Sequence, residues 1–179
     1  MLDGWKARTG GGAVIADEML GTHEVPAAEA MEDLGRRIGE GLVAGDLLVL
    51  TGPLGAGKTT FTRGLAEGMG VRGPIQSPTF VIARTHPSLT GGAPLVHADA
   101  YRVGDAMELD DLDIDADASV VVMEWGRGKA EGLRETWWEV EIARPVGGRG
   151  ADTMCGDLSR SAEDLDADAP RIVTISRAH

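Results

Sequence analysis

The 179-residue chain predicts an α/β fold in three layers, built on a mixed, mainly parallel sheet that antiparallel strands extend. Residues 47–50 and 119–123 are continuous apolar runs, which is typical of strands buried on both faces of a sheet. Helical periodicity on both sides of the first run indicates strands that alternate with helices. The alternating segments at 136–143 and 171–176 have no helix of crossover length between them, so we expect antiparallel strands there.

The first half of the chain predicts two amphipathic helices around the first core strand. The first helix opens after Pro26 and carries one apolar stripe at spacings of three and four residues, formed by Met31, Leu34, Ile38 and Leu42. The second helix spans residues 58–69, stops at Gly70 and has an apolar face formed by Phe61, Leu65 and Met69.

The rest of the chain predicts strands and turns. Residues 77–83 contain an early proline and several β-branched side chains, which favours a strand over a helix. Residues 85–94 have the composition of a hairpin loop, and residues 95–101 follow as a strand. Residues 136–143 alternate in the manner of a strand at an exposed edge of the sheet.

The length predicts one domain, residues 23–179, with two flexible additions. Residues 1–22 are rich in glycine and small side chains and lack periodicity, so we expect a flexible N-terminal arm. A Gly- and Asp-rich stretch at about 146–170 predicts a flexible acidic insertion before the last strand.

Composition favours a cytoplasmic protein. No apolar run approaches the ~18 residues that a membrane helix needs, and the N-terminus lacks the apolar segment of a signal peptide. Cys155 is the only cysteine, so an internal disulfide is impossible.

The net charge of -12 is concentrated in two short segments. Residues 105–117 hold seven acidic and no basic side chains, and residues 151–169 hold six acidic side chains and one basic one. Local acidity of this kind is typical of solvated surface or flexible chain. It does not exclude a partner that contains RNA, whereas we expect neither DNA nor a membrane as a partner.

Residues 52–59 read G-P-L-G-A-G-K-T and match the phosphate-binding pattern G-x-x-x-x-G-K-[ST] at every position. Chance would produce such a match in roughly one chain in a hundred of this length, and its place between a strand and a helix lowers those odds. Lys58 would reach the β- and γ-phosphates, and the Thr59 hydroxyl would bind Mg²⁺. The motif therefore predicts a P-loop NTPase-like fold with a nucleotide cradle formed by Leu54, Gly55, Ala56, Gly57, Lys58, Thr59 and Thr60.

Two acidic residues are candidates for work beside these phosphates. Glu124 ends the buried run at 119–123, where ligands of open α/β sheets collect, so we expect it near the metal. The alternative is a merely solvated strand end. Asp99 is expected within a strand on the same face as His97, and the alternative for it is an ion pair with Arg102.

Three other residues are weaker candidates. Thr79 lies in an extended segment and could sense the γ-phosphate, although threonine is also simply a good strand former. Trp125, next to Glu124, could pack on the nucleotide or on a partner, or else in the core. His97 is expected to be a positioning or core histidine rather than a base.

Four motifs in this order resemble the TsaE (YjeE) family, small bacterial P-loop ATPases of tRNA threonylcarbamoyladenosine biosynthesis. They are G-P-L-G-A-G-K-T-T-F-T-R-G at 52–64, S-P-T-F at 77–80, H-A-D-A-Y-R at 97–102 and E-W at 124–125. The resemblance implies ATP and Mg²⁺ as cofactors and homologues of TsaD and TsaB as protein partners. It implies contact with tRNA only indirectly, through that complex, during modification of tRNAs that read ANN codons.

The resemblance also implies roles for single residues. Thr59 and Glu124 would bind Mg²⁺, Thr79 would act as a switch residue, and Asp99 would be required for activity, so the implied catalytic set is Lys58, Thr79, Asp99 and Glu124. One departure concerns the residues after E-W, because many family members carry a second acid there. This chain has Gly126 and Arg127 instead.

The function that we expect is that of an Mg²⁺-dependent ATPase subunit that resets or regulates the TsaD–TsaB complex. No arginine finger is evident in the sequence, so turnover should be slow alone and stimulated by partners. A P-loop kinase for a small molecule or a nucleotide is an alternative, although the longest insertion is acidic, unlike the arginine-rich lid that such kinases use. A nucleotide-gated binding module with negligible turnover is the second alternative.

Overall fold

A computed structural model of the chain describes residues 15, 17–78, 82–101, 114–144 and 169–179. Its helices are α1 (Ala28–Gly39) and α2 (Lys58–Gly68). Its strands are β1 (Gly21–Val25), β2 (Leu47–Thr51), β3 (Ala83–His86), β4 (Leu95–Asp99), β5 (Val120–Glu124), β6 (Trp137–Ala143) and β7 (Arg171–Ala178). Short 3-10 turns lie at Asp17–Met19 and Ala130–Gly132.

All seven strands form one sheet in the order β1-β7-β6-β2-β5-β4-β3. The four strands β6, β2, β5 and β4 are parallel to one another. Antiparallel strands extend this centre at both ends, with β7 and β1 on one side and β3 on the other. The structure confirms the predicted mixed, mainly parallel sheet. Because parallel strands end at one edge, the segments that follow β2, β4, β5 and β6 all start there.

Strand β6 is an interior strand, so the prediction of an exposed edge at 136–143 is wrong. It pairs with β2 on one side and with β7 on the other. Its alternation has a different cause, since Trp138, Val140 and Ile142 are buried while the residues between them are partly or fully exposed. The pattern within a strand reports which face is covered, whereas its place in the sheet depends on pairing partners far away in sequence.

The first strand was not predicted. Strand β1 begins at Gly21, inside the segment assigned to the flexible arm, and pairs with β7 along its whole length. Ile15 is also buried, at 3% exposure. Gly21 and Thr22 therefore belong to the sheet, whereas residues 1–14 of the predicted arm lie outside the described residues. The strand has little apolar alternation of its own because four of its five residues are exposed or half-buried.

Strand β3 starts where the predicted strand at 77–83 ends. Ser77 and Pro78 are not in a strand, and residues 79–81 lie outside the described part of the chain. Ile82 has a left-handed backbone with φ of 64°, which interrupts extended structure and is rare for a β-branched residue. The strand therefore covers Ala83–His86, part of which was expected to be a hairpin loop.

Helices α1 and α2 lie against one face of the sheet and touch each other backbone to backbone. A Cβ atom added to Gly35 would overlap the carbonyl oxygen of Phe61, and one added to Gly64 would overlap that of Glu32. Two further glycines, one turn along each helix, have the same kind of contact: Gly39 and Gly68. Four glycines thus fix α2, and with it the loop at its N-terminus, against α1.

A second apolar cluster covers the opposite face of the sheet. It joins Val49, Val121 and Met123 to the turn at Ala130–Gly132. The predicted insertion at about 146–170 and most of the acidic segment at 105–117 lie outside the described residues. Within the described residues, no helix has the length and apolar character needed to cross a membrane.

Candidate functional site

The loop at residues 52–57 joins β2 to α2 and has the shape of an anion cradle. Gly55 and Gly57 have φ angles of 72° and 109°, which side chains with a Cβ rarely adopt. The amide of Ala56 donates to Pro53 O at 3.1 Å and closes a tight turn. Gly57 is the N-cap of α2, so the first amides of that helix face the loop without intrahelical acceptors. The positive end of the helix dipole adds to their attraction for phosphate.

Lys58 is folded back across this loop. Its Nζ donates to Gly52 O at 3.0 Å and to Pro53 O at 3.1 Å. The same ammonium lies 4.1 Å from the ring centroid of Trp125. Burial lowers the pKa of Lys58, while the nearby carboxylates of Glu124 and Asp99 act in the opposite direction. The lysine is therefore held in the loop, within the field of both candidate acids.

Glu124 is in contact with the end of the loop. Thr59 Oγ1 donates to Glu124 Oε1 at 3.2 Å, and His97 Nε2 lies 2.9 Å from the same oxygen. The glutamate is buried at 4% exposure and pairs in register with Leu50 of the strand that leads into the loop. The parallel arrangement of β2 and β5 thus brings Thr59 and Glu124 together.

Asp99 ends β4 directly beside Glu124, to which it is paired in register. It was expected within a longer strand that reached Tyr101, but the strand stops at Asp99 and the chain turns. Its Oδ1 accepts the Tyr101 amide at 3.0 Å. Arg102, the partner in the alternative interpretation, lies outside the described residues. Two buried carboxylates therefore stand side by side at the edge of the sheet that carries the loop.

Trp125 is held over the site by an unusual backbone. Its φ is 61°, a left-handed conformation that costs about 1–3 kcal/mol for a residue with a large side chain. Its amide donates to Leu50 O at 3.1 Å, and its ring meets that of Tyr101 edge to face at 5.7 Å. The half-buried indole thus lies against Lys58 on one side and the exposed Tyr101 on the other, and does not belong to the apolar core.

Thr79 lies outside the described residues, so its role as a switch remains a prediction. The chain that follows it returns to the site through Ile82, whose carbonyl accepts the Asp99 amide at 2.7 Å. Ile82 is therefore tied to the strand end that carries Asp99.

For two arginines near the site, the sequence predicted no contact. Arg144 follows β6 and donates from Nη2 to Gly55 O at 3.0 Å, which braces the outside of the loop. Arg127, in the place of the family's second acid, donates to Glu139 at 2.6 Å and to Glu141 at 3.4 Å. The sequence could have indicated Arg144, because it is a basic residue one position past the end of a parallel strand.

Comparisons with known proteins place the chain in a family. The profile of the family described as "Threonylcarbamoyl adenosine biosynthesis protein TsaE" matches residues 25–149. A Streptomyces coelicolor protein named "tRNA threonylcarbamoyladenosine biosynthesis protein TsaE" is 59% identical over 120 residues, which are 65% of this chain and 81% of that protein. A Mycobacterium bovis protein of the same name is 49% identical over 133 residues, covering 69% of this chain and 79% of that protein.

A solved structure shows the same fold. The crystal structure of Bacillus subtilis YdiB superimposes with a TM-score of 0.59 at 28% sequence identity, and the match covers 86% of this chain and 82% of that one. The motifs, the sheet order and the profile match over most of the chain lead to one conclusion. The chain belongs to the TsaE family of threonylcarbamoyl adenosine biosynthesis proteins.

Proposed function

We propose that this chain is the Mg²⁺-dependent ATPase subunit of the system that forms threonylcarbamoyladenosine in tRNAs reading ANN codons. The observation that carries the proposal is the meeting of a complete phosphate loop with two buried carboxylates, Asp99 and Glu124, on adjacent strand ends. A loop alone would bind a triphosphate, whereas hydrolysis also needs groups that hold a metal and orient water.

The loop supplies the binding energy for the nucleotide. Amides of residues 54–60 would surround the phosphates, and Lys58 would exchange its carbonyl partners for phosphate oxygens. That exchange replaces contacts to neutral carbonyls with contacts to anions, which are stronger for an ammonium group. The indole of Trp125 lies next to this lysine and would form one wall of the nucleotide site.

Thr59 and Glu124 would hold Mg²⁺. Their hydroxyl and carboxylate oxygens are hard donors 3.2 Å apart, and magnesium completes its shell with phosphate and water oxygens. Within the described residues, no group of three or more His, Cys, Asp or Glu side chains forms a self-sufficient metal cage. The Thr59 hydroxyl and the Glu124 carboxylate fit a metal ion that binds together with a nucleotide. The ion would neutralise charge on the phosphates.

We assign to Asp99 the role of orienting the water that attacks the γ-phosphate. Glu124 already accepts hydrogen bonds from Thr59 and His97, whereas the hydrogen bond described for Asp99 comes from one backbone amide. A carboxylate with free acceptor capacity can orient a water and take its proton. The resemblance to the family, in which this aspartate is required, supports the same assignment.

Regulation by TsaD and TsaB homologues is the remaining part of the proposal. Leu54, on the loop, is 89% exposed, and Tyr101, beside Trp125, is 72% exposed. Large apolar side chains at the mouth of a nucleotide site are suited to contact with a protein partner. An ATPase of this kind would work in the cytoplasm and would reach tRNA through its partners.

The test is ATP hydrolysis by the purified protein with and without the TsaD–TsaB pair, followed together with threonylcarbamoyladenosine formation on tRNA. We expect slow release of phosphate by the protein alone, faster release with the pair, and modified tRNA when all components are present. Transfer of phosphate to an added nucleoside or metabolite would show a kinase instead. Full tRNA modification by variants that bind ATP without hydrolysing it would show a nucleotide-gated binding module.

A further inference from the structure

His97 is a fully buried histidine whose described hydrogen bond is to Glu124. The side chain is 0% exposed, and its Nε2 lies 2.9 Å from Glu124 Oε1. Because an ionised carboxylate only accepts hydrogen bonds, the Nε2 atom carries the proton and donates it. The other ring nitrogen, Nδ1, is buried with no hydrogen-bond partner among the described residues.

That arrangement is unfavourable for a residue that only fills space. A leucine or methionine would fill the same volume without burying a ring nitrogen that lacks a partner, which costs about 1–3 kcal/mol. The compensating contact is the one to Glu124, so the reason for a histidine at this position lies in that carboxylate. His86 also buries a ring nitrogen, Nε2, without a described partner, so the feature that points to a functional role for His97 is its contact with Glu124.

Two donors converge on a single oxygen of Glu124. Thr59 Oγ1 and His97 Nε2 approach Oε1 at 3.2 Å and 2.9 Å, from the loop side and from the neighbouring strand. Neither of them contacts Oε2. A carboxylate that is fixed through one oxygen cannot rotate freely, so its second oxygen keeps one direction.

We propose that His97 is a positioning residue that orients the Glu124 carboxylate for Mg²⁺. Its hydrogen bond holds Oε1 against Thr59 and thereby directs Oε2 to the metal or to a metal-bound water. The inference rests on the proposed function, because it assigns to Glu124 the metal role described there. Side chains behind a metal ligand usually act in this way, and their removal typically weakens metal binding about 10–100-fold.

The chain contains a matched control for this residue. His86 is a second buried histidine on the adjacent strand β3, at 5% exposure. Its Nδ1 lies 2.9 Å from Arg72 O, and none of its described hydrogen bonds involves Glu124. A substitution of His86 therefore reports the cost of removing a buried imidazole from this sheet without touching the carboxylate.

The first test measures Mg²⁺ binding to the ADP complex by calorimetry, with ADP binding in EDTA as the reference. For His97→Leu we expect Mg²⁺ affinity to fall about 10–100-fold, with unchanged ADP affinity in EDTA. In His97→Gln the side-chain amide nitrogen takes the place of Nε2 and keeps the donor, so most of the affinity should return. His86→Leu should bind Mg²⁺ like the wild type. At saturating Mg²⁺, the affinity for ADP should fall in His97→Leu by the same factor as its Mg²⁺ affinity, because ADP affinity in EDTA is unchanged, and it should stay at the wild-type value in His86→Leu.

The second test is independent of nucleotide chemistry and consists of crystal structures of the wild type and of His97→Asn. The asparagine amide is too short to reach Oε1, so we expect the Glu124 carboxylate to leave Thr59. An unmoved carboxylate, or wild-type Mg²⁺ affinity in His97→Leu, would overturn the inference while leaving the ATPase proposal intact. A wild type that neither binds nor hydrolyses ATP would remove the ATPase proposal, and the crystal structures would still decide whether His97 positions Glu124.

Discussion

At the scale of single residues, Lys58 combines three kinds of contact in one ammonium group. It donates to two loop carbonyls, lies on the face of Trp125 and is near two carboxylates. Each of these contacts is weaker than a direct contact with a phosphate anion in a partly buried site. The loop therefore keeps its lysine ordered before a nucleotide arrives, and the lysine is available for exchange.

Replacement of Lys58 by alanine should abolish measurable ATP binding while the protein stays folded. The lost ammonium is the main cation of the loop, and its burial already lowers its pKa, so its removal relieves an unfavourable burial. Calorimetric titration with ATP and a thermal melt measure the two quantities. Arg63→Ala is the control, because Arg63 lies on the same helix but faces solvent and pairs with Glu32. Wild-type ATP affinity in Lys58→Ala would refute the assigned role of the loop.

Arg144 should affect nucleotide affinity through the shape of the loop. Its hydrogen bond to Gly55 O holds the outer side of the loop, where no phosphate is expected. We expect Arg144→Ala to raise the KM for ATP by about threefold to tenfold, which corresponds to about 1 kcal/mol for one exposed hydrogen bond, with a smaller change in kcat. Arg127→Ala removes an arginine whose described hydrogen bonds are to Glu139 and Glu141 of β6, so it should leave KM unchanged. Equal effects of the two variants would contradict a bracing role for Arg144.

At the scale of elements, the glycine contacts between α1 and α2 position the loop. A helix normally gains about 1 kcal/mol when an interior glycine is replaced by alanine. Here the added methyl group would meet a carbonyl oxygen of the other helix at four positions: Gly35, Gly39, Gly64 and Gly68. The helices would have to move apart, and the N-terminus of α2 would move with them.

Gly35→Ala and Gly64→Ala should therefore destabilise the protein by about 1–3 kcal/mol, in the range of other overpacked cores. Urea unfolding measures the free energy of unfolding. Gly92→Ala is the control, because an added Cβ there would meet only side-chain atoms, the nearest 3.7 Å away. An increase in stability in the helix variants, as propensity alone predicts, would show that the close packing is absent.

The elements that could be predicted from the sequence are those whose own hydrophobic pattern indicates a helix or a strand. Helices α1 and α2 and strands β2, β4 and β5 follow from periodicity and from continuous burial. The position of β6, the existence of β1 and the start of β3 depend on partners distant in sequence and on the backbone of Ile82. The same division holds at the site. Lys58 follows from a motif and Glu124 from a predicted strand end. Asp99 was expected within a longer strand, and the contact of Arg144 depends on the register between β6 and β2.

At the scale of the whole molecule, the buried His86 links stability to pH. Burial lowers the pKa of His86 from its ordinary value of 6.5, although its hydrogen bond to Arg72 O partly opposes this. In the pH range below 6.5 and above the lowered value, the unfolded chain therefore binds a proton that the folded chain does not. Acidification favours the unfolded state in this window, and stability rises again with pH.

We expect the free energy of unfolding to fall as the pH is lowered from about 7.5 to about 5.5, and to fall less steeply in His86→Gln. Urea unfolding at a series of pH values measures both slopes. His179→Gln, at the exposed C-terminus, serves as the control and should follow the wild type. Identical slopes for the wild type and His86→Gln would show that His86 is not a source of the pH dependence.

The most direct measurement of the central claim is Mg²⁺-dependent phosphate release from bound ATP, in the presence of the TsaD–TsaB pair, by the wild type and by Glu124→Gln. Glutamine keeps the size of the side chain and removes the charge that contacts Thr59. We expect both proteins to bind ATP and the variant to release phosphate at a rate at least about 100-fold lower than the wild type. Phosphate release by Glu124→Gln at the wild-type rate would refute the metal role proposed for Glu124, because its charge would then have no part in hydrolysis.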